Sequence, residues 1–152
     1  ICQLEPHFTE ILVSAAEPER YAFLGRQVIV DQARDQGPLM GIASALAASS
    51  HELNFVTTCD APDLPHGLAL RLLRAARGAE GAVPLAADGH WQPLFAVYGR
   101  STAARMRAAL AAGERRIVNL YSQLDIRYVQ APPGACVPNI NTPEEYERRL
   151  GR

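Results

Sequence analysis

The chain has 152 residues, 15 basic and 16 acidic, for a formal net charge of −1. All the basic residues are Arg; there is no Lys. Hydrophobic residues make up 48% and charged residues 20%, the composition of an ordinary globular domain. The length suits one domain of about 150 residues, able to bury a substantial core. A near-neutral balance excludes a protein that coats nucleic acid electrostatically. No apolar run reaches the roughly 18 to 20 residues of a membrane span. The opening ICQLEPHFTE lacks the basic-then-apolar pattern of a secretory signal. Three widely spaced Cys (Cys2, Cys59, Cys136) predict neither a disulfide framework nor a zinc site, and a reducing cytoplasm is the default reading.

In chain order, Glu10 to Ala15 (EILVSA) has the length of a buried strand, and Gln27 to Val30 (QVIV) is a second, running into Asp31. Gly37 and Pro38 punctuate a turn, with Pro38 placed to open a helix. Leu39, Ile42, Ala43 and Leu46 recur at helical spacing. Asn54 to Cys59 (NFVTTC) is β-branched and aromatic and is expected to be a strand, with Cys59 a small buried residue in it. Pro65 begins a helix with Leu68, Leu72 and Ala75 facing inward and Arg71, Arg74 and Arg77 solvated. Gly81 to Ala86 and Gln92 to Tyr98 read as two strands around the Asp88–Gly89 turn, an antiparallel hairpin beside which Trp91 covers part of the core. Ser101 is expected to cap an Ala-rich helix reaching Ala112 and ended by Gly113. Glu114 to Leu124 predicts a further short helix, and Ile126 to Gln130 a strand. Thr142, Pro143 and Glu145 form a capping box. The alternation predicts an α/β domain with a mainly parallel sheet covered on both faces, without repeats or linkers.

Ligands of open α/β sheets bind outside the carboxyl ends of the strands. Three apolar strands here end near Ser14, Asp31 and Asp60. A charge at the end of a buried strand is costly unless a cation, backbone N–H groups or a hydroxyl-bearing ligand offsets it. Asp60, in TTCDAP, is either a turn aspartate before Pro62 or a magnesium ligand; Mg²⁺ takes few protein carboxylates and completes its shell with phosphate oxygens and water. Asp63 reads as a turn residue. Asp31 is a turn aspartate or part of a nucleotide crevice with Gly37, Pro38 and Leu39, where a helix start presents free N–H groups and a positive dipole end. Arg115 and Arg116 are either a solvated helix face or an anion site. Asn139 and Asn141 flank Ile140 and share a face if extended; they read a ligand edge or only order the turn before the last helix. The four His are scattered and have no metal-ligand spacing.

Taken in order, DQARDQGPLMGIASAL, FVTTCDAPDLP, WQPLFAVY, AGERRIVNL and NINTPEEYERRL resemble the molybdenum cofactor guanylyltransferases along essentially the whole chain. GPLMGI and CDAP resemble the broader nucleotidyltransferases; NINTPEE beside AGERR points to the guanylyltransferase branch rather than the cytidylyltransferase branch. The resemblance implies a Rossmann-like three-layer α/β sandwich of the nucleotide-diphospho-sugar-transferase kind, mainly parallel with a C-terminal antiparallel hairpin element. It implies Mg²⁺-dependent transfer of GMP from GTP to molybdopterin, with release of pyrophosphate. By position, Asp60 matches the family's magnesium aspartate and is the expected catalytic residue. Asp31 matches an aspartate on the guanine nucleotide side, and Ser14 falls where many members carry Asn. Arg116, Asn139 and Asn141 match positions implicated in the pterin or its phosphate.

The family's opening strand and its Gly-rich loop with Arg and Lys have no counterpart in these residues. The chain is therefore expected to be a single nucleotidyltransferase domain, residues 1–152, lacking that loop, and inactive by itself. Its partners would be GTP and molybdopterin, with molybdoenzyme maturation factors beyond them. Neither nucleic acid nor membrane is expected, and the protein is expected to be a cytoplasmic monomer or weak oligomer. The alternatives are a non-catalytic nucleotide- or pterin-binding relative, and a nucleotidyltransferase for another nucleotide or acceptor.

Overall fold

The computed structural model describes residues 1–30, 37–61, 63–132, 142, 144, 147 and 148. The chain begins with β1 (Leu12–Ala15) and β2 (Gln27–Val30), paired in parallel from Leu12 opposite Gln27 to Ala15 opposite Val30. A 3-10 segment, Pro18–Leu24, joins them, and Gly25 ends it at φ +61°. Both strands are only half covered, with Val30 at 52% exposure, rather than buried as their apolar character predicts.

Helix α1 (Pro38–Ala48) packs against both strands and against α3. Leu39, Ile42, Ala43 and Leu46 are all buried, as their spacing requires. Then come β3 (Leu53–Thr57), α2 (His66–Ala75), β4 (Gly81–Leu85), β5 (Phe95–Gly99), α3 (Ala103–Ala111) and β6 (Ile126–Gln130). The four later strands form one sheet in the order β3-β5-β4-β6. β3, β4 and β6 run the same way, and β5 alone opposes them. The expected antiparallel pair of β4 and β5 is present but short: two ladder pairs and a bridge from Leu85 to Trp91. β5 instead makes its longer ladder with β3, so it lies inside the sheet.

Two apolar layers sandwich this sheet. On one face α1, α3 and the 3-10 segment Ile117–Gln123 enclose Leu39, Leu46, Val83, Tyr98 and Met106. On the other, α2 lays Leu68 and Leu72 on Ala82, Phe95 and Val97. Each fully buried Leu contributes about 1.5–3 kcal/mol relative to exposure. This is the expected three-layer α/β arrangement. Among the described residues no helix is long and apolar enough to cross a membrane.

Both sheets point the same way. Glu10, just before β1, accepts hydrogen bonds from the Ser49 hydroxyl (2.8 Å), the Ser50 hydroxyl (2.9 Å) and the Ser50 N–H (3.1 Å), just before β3. The Ser49 hydroxyl, with help from Ser50 and His51, holds the Glu10 carboxyl below the usual carboxylate range. The amino ends of β1 and β3 are thus tied, and their carboxyl ends open on one edge.

Several local expectations are corrected. Ser101 is not the cap of α3; it lies within a 3-10 turn, Arg100–Thr102, and α3 has no side-chain N-cap. Thr102 instead donates its hydroxyl to the Gly99 carbonyl at 2.7 Å, tightening the exit from β5. The stretch from Glu114 is 3-10 rather than α and starts only at Ile117, after an extended Arg116; the Glu114 carboxylate accepts the Arg115 and Arg116 N–H groups ahead of it, each at 2.7 Å. β3 stops at Thr57, and Cys59 is exposed in a turn instead of buried in a strand. β5 begins at Phe95 rather than at Gln92, since Pro93 has no N–H for a ladder and residues 93–94 turn. With the partner strand turning away, β3 has nothing to pair with beyond Thr57. The Thr142–Pro143–Glu145 capping box lies largely outside the described residues; Glu144, Glu147 and Arg148 are helical.

Candidate functional site

The carboxyl edge collects the ends of β1, β3, β4 and β6, the start of β5 and the start of α1. Gly37 (φ +69°) leads into Pro38 at the first helical position, with no side chain among the described residues capping the helix. Its first-turn N–H groups therefore face this edge, where they and the helix dipole favour an anion or an electron-rich ring. Gly37 and Pro38 are exposed. The Leu39 side chain is 1% exposed and belongs to the core, so only its backbone can serve a ligand. Ser14, on β1, is exposed at the same edge. Asp31, Asn139 and Asn141 lie outside the described residues.

Asp60 follows β3 in the Cys59–Asp60 turn. Its Oδ1 is buried and has no hydrogen-bond partner among the described residues. Two more buried oxygens in the same state lie on this edge: Thr57 Oγ1 at the end of β3 and Gln92 Oε1 before β5. A buried polar group left unpaired costs about 1–3 kcal/mol. Only one other buried side-chain atom among the described residues shares this condition, Ser44 Oγ in α1. Three oxygens make a hard donor set that suits a hydrated divalent cation. Among the described residues no three His, Cys, Asp or Glu are grouped to hold a metal, so a cation here would rely on the single carboxylate of Asp60, on water and on a ligand's own oxygens.

The Arg pair divides. α3 starts at the amino edge, where Arg105 pairs with Glu80 and donates to the Gln123 carbonyl at 2.9 Å. The nine residues of α3, at about 1.5 Å each, carry the chain some 14 Å towards the other edge. There Arg115 donates to the Leu110 carbonyl at 2.9 Å and closes the helix end. The Arg116 guanidinium is exposed and has no hydrogen-bond or ion-pair partner among the described residues, while its own N–H is held by Glu114. That N–H, the Asn119 amide and the Arg115 N–H depress the Glu114 carboxyl. Of the two readings for this pair, Arg115 takes the structural one, and Arg116 remains available to an anion.

The loop before β5 is held from below. Tyr98, fully buried, donates to the Pro93 carbonyl at 2.9 Å and shares a 2.8 Å hydrogen bond with the Tyr121 hydroxyl. Burial pushes both phenols up, Tyr98 further through the neighbouring Tyr121. Trp91 stacks on Tyr128 at 5.7 Å and meets Tyr121 edge-on, covering the core as expected while remaining 45% exposed.

The amino edge has an open cavity of about 410 Å³, lined by residues that include Glu52, Arg77, Glu80, Ser101 and Asp125. Its acids are largely occupied: Glu80 pairs with Arg105 and accepts the Asp125 N–H at 3.0 Å, and Asp125 faces Arg127. The unsatisfied chemistry is at the carboxyl edge. Nothing in the sequence singles out Thr57 or Gln92 as a site residue. Their signal is faint: a hydroxyl closing an apolar strand, and an amide immediately before the Pro of a turn that precedes another.

Residues 1–127 match the MobA-like NTP transferase domain. The chain is 33% identical over 153 aligned residues to the molybdenum cofactor guanylyltransferase of Shewanella baltica, covering 97% of this chain and 78% of that protein. It is 36% identical to the enzyme of that name from Shewanella halifaxensis, over 98% of this chain and 76% of that protein. Among solved structures, molybdopterin-guanine dinucleotide biosynthesis protein A from Archaeoglobus fulgidus aligns with a TM-score of 0.75 and 22% identity, over 96% of this chain and 80% of that one. The 2-C-methyl-D-erythritol 4-phosphate cytidylyltransferase of Thermus thermophilus aligns at 0.67 and 21%, over 97% and 86%. At these identities the structures speak for the fold alone.

Proposed function

The chain belongs to the MobA-like NTP transferase family, and on that premise we propose that it is a nucleotidyltransferase of molybdenum cofactor synthesis that transfers GMP from GTP to molybdopterin and releases pyrophosphate. The observation that carries the reading is its identity, along nearly all its length, with molybdenum cofactor guanylyltransferases. The carboxylate oxygen of Asp60 at the carboxyl edge, buried and without a partner among the described residues, agrees with it.

In this reading the nucleotide lies over α1, β1 and β2. Gly37, Pro38 and the Leu39 N–H meet it, with Ser14 and, by the resemblance, Asp31 on the same side. Asp60 holds a divalent cation, taken to be Mg²⁺. When bound, the cation supplies charge neutralisation to the reacting phosphates. Asp60 fixes its position relative to the α-phosphate. The acceptor is itself an anionic phosphate, so no strong general base is required; alignment and electrostatics carry the reaction. Arg116 pairs the acceptor phosphate, to which a planar guanidinium binds bidentately. Asn139 and Asn141 are assigned to the pterin by the resemblance.

The test incubates the full-length protein with labelled GTP, Mg²⁺ and molybdopterin. Label is expected in the dinucleotide. Label in another acceptor only would show a different transferase. Tight binding of GTP or pterin without transfer would show a binding relative.

A further inference from the structure

We propose that Gln92 and Thr57 belong to the cation site of Asp60, where their side-chain oxygens accept hydrogen bonds from water molecules bound to the cation. The inference rests on the preceding reading for the cation itself; Gln92 and Thr57 are new to it.

The β3–β5 ladder supplies the placement. Its last pair joins Thr57 to Phe95. Past that pair both strands leave the ladder in turns, Cys59–Asp60 after β3 and residues 93–94 before β5, where the Gln92 carbonyl accepts the Phe95 N–H at 3.1 Å. Thr57 is the last residue of β3, and Asp60 and Gln92 lie on the two segments that adjoin the Thr57–Phe95 pair at the carboxyl edge. All three are oxygens, all are buried, and none has a partner among the described residues.

The Gln92 amide is not loose. Its N–H donates to the Pro84 carbonyl at 3.1 Å, and its carbonyl accepts the Phe95 N–H at 3.1 Å. The next residue, Pro93, is pinned by the buried Tyr98 hydroxyl. Both backbone groups are used, and the side-chain Oε1 is buried without a partner among the described residues. A fold that spends this much to fix the loop while leaving one acceptor bare is preorganised for a donor supplied from outside.

The donor chemistry follows from the cation. Mg²⁺ dehydrates reluctantly and keeps several waters. Those waters donate and do not accept, so their shell needs a wall of acceptors. Asp60 has only one carboxylate to offer. A Gln carbonyl and a Thr hydroxyl oxygen, both neutral, complete the wall without adding negative charge that would oppose the nucleotide. Such outer groups orient a bound metal and commonly govern its affinity by tenfold or more.

The test reads Mn²⁺ binding to the full-length protein through loss of the free-ion electron paramagnetic resonance signal, with no nucleotide and no turnover. Gln92→Leu is expected to weaken Mn²⁺ binding by about tenfold or more, and the isosteric Thr57→Val by several-fold. Gln92→Glu, which still accepts, is expected to bind at least as tightly as the parent. Should one variant fail to fold, the others carry the test, with thermal melting as the check. Parent-like affinity in Gln92→Leu and Thr57→Val, with weaker binding in Asp60→Ala, overturns this inference and leaves Asp60 in place. Parent-like affinity in all three, or no Mn²⁺ bound by the parent, overturns the cation site as well. GMP transfer by the parent is a separate measurement, so loss of this inference is distinguishable from loss of the function.

Discussion

Replacing Asp60 by Ala should move stability and catalysis apart. In most turns an aspartate earns its place by bonding local N–H groups, and its removal costs stability. Here Oδ1 is buried with no partner among the described residues. An unmade hydrogen bond of this kind costs about 1–3 kcal/mol, and alanine relieves it. Against that stands a small loss of contact from a partly exposed turn residue. The expected balance is a melting temperature unchanged or raised by a few degrees, at roughly 2–4 °C per kcal/mol for a domain of this size. Transfer should respond the other way. Metal neutralisation of phosphoryl charge is worth several kcal/mol, and about 4 kcal/mol is roughly three orders of magnitude in rate. The assay pairs thermal melting of the full-length Asp60→Ala protein with label transfer from GTP at saturating Mg²⁺. A destabilisation beyond about 2 kcal/mol with transfer intact would falsify the reasoning, because it would mean that Asp60 is a structural turn residue.

Four further outcomes are expected. Arg116→Ala should raise the KM for the acceptor at unchanged melting temperature, whereas Arg115→Ala, losing the bond to the Leu110 carbonyl, should lower the melting temperature and leave that KM alone. Tyr98→Phe leaves the Pro93 carbonyl and the Tyr121 hydroxyl without their buried partner and should cost about 1–3 kcal/mol in denaturant unfolding. Gly81→Ala brings a methyl group to 2.7 Å from the Val97 carbonyl and 2.9 Å from Ile126 Cδ1, an overpacking expected to cost about 1–3 kcal/mol. The pH profile of unfolding should fall at both ends. Glu10 has a folded pKa below its ordinary 4.5, so its contribution is present above pH 4.5 and fades as the pH drops through the lowered value. Tyr98 and Tyr121 have folded pKa values above 10.0, so theirs is intact below pH 10 and fades above it. A Glu10→Gln variant with an unchanged acid limb would count against the first of these.

Much of the fold is legible in the sequence because periodicity reports burial. Leu39, Ile42, Ala43 and Leu46 predict α1, and Ile126 to Gln130 are matched as a strand residue for residue. What the sequence hides is competition between neighbours. Ser101 looks like a cap, but a 3-10 turn over Arg100–Thr102 takes it up and α3 starts only at Ala103. Residues from Glu114 onward look helical, but Arg116 is extended, at φ −102° and ψ 114°, and the 3-10 segment starts only after it. Cys59 looks like a strand residue until the partner strand turns away at Pro93. The order β3-β5-β4-β6 is also invisible locally, since nothing in QPLFAVY announces that it will pair on both sides.

The candidate site follows the same division. Asp60 and the start of α1 are readable because an acid after an apolar run and a Gly-Pro helix start are local signals. Separating Arg115 from Arg116 needs the structure, since only coordinates show which guanidinium already closes a helix. Gln92 needs it too, because its meaning comes from a strand more than thirty residues earlier in the chain. The two ends of the sheet make the contrast physical. At the amino edge Glu10, Glu80 and Thr102 each have partners, and even the cavity there is lined by acids that are largely engaged. At the carboxyl edge Thr57, Asp60 and Gln92 present buried oxygens with none among the described residues. A fold gains stability by pairing such atoms and tolerates bare ones where a ligand completes them. Substitutions that remove the paired groups should therefore lower the melting temperature, and substitutions at the bare ones should lower binding and rate while sparing it.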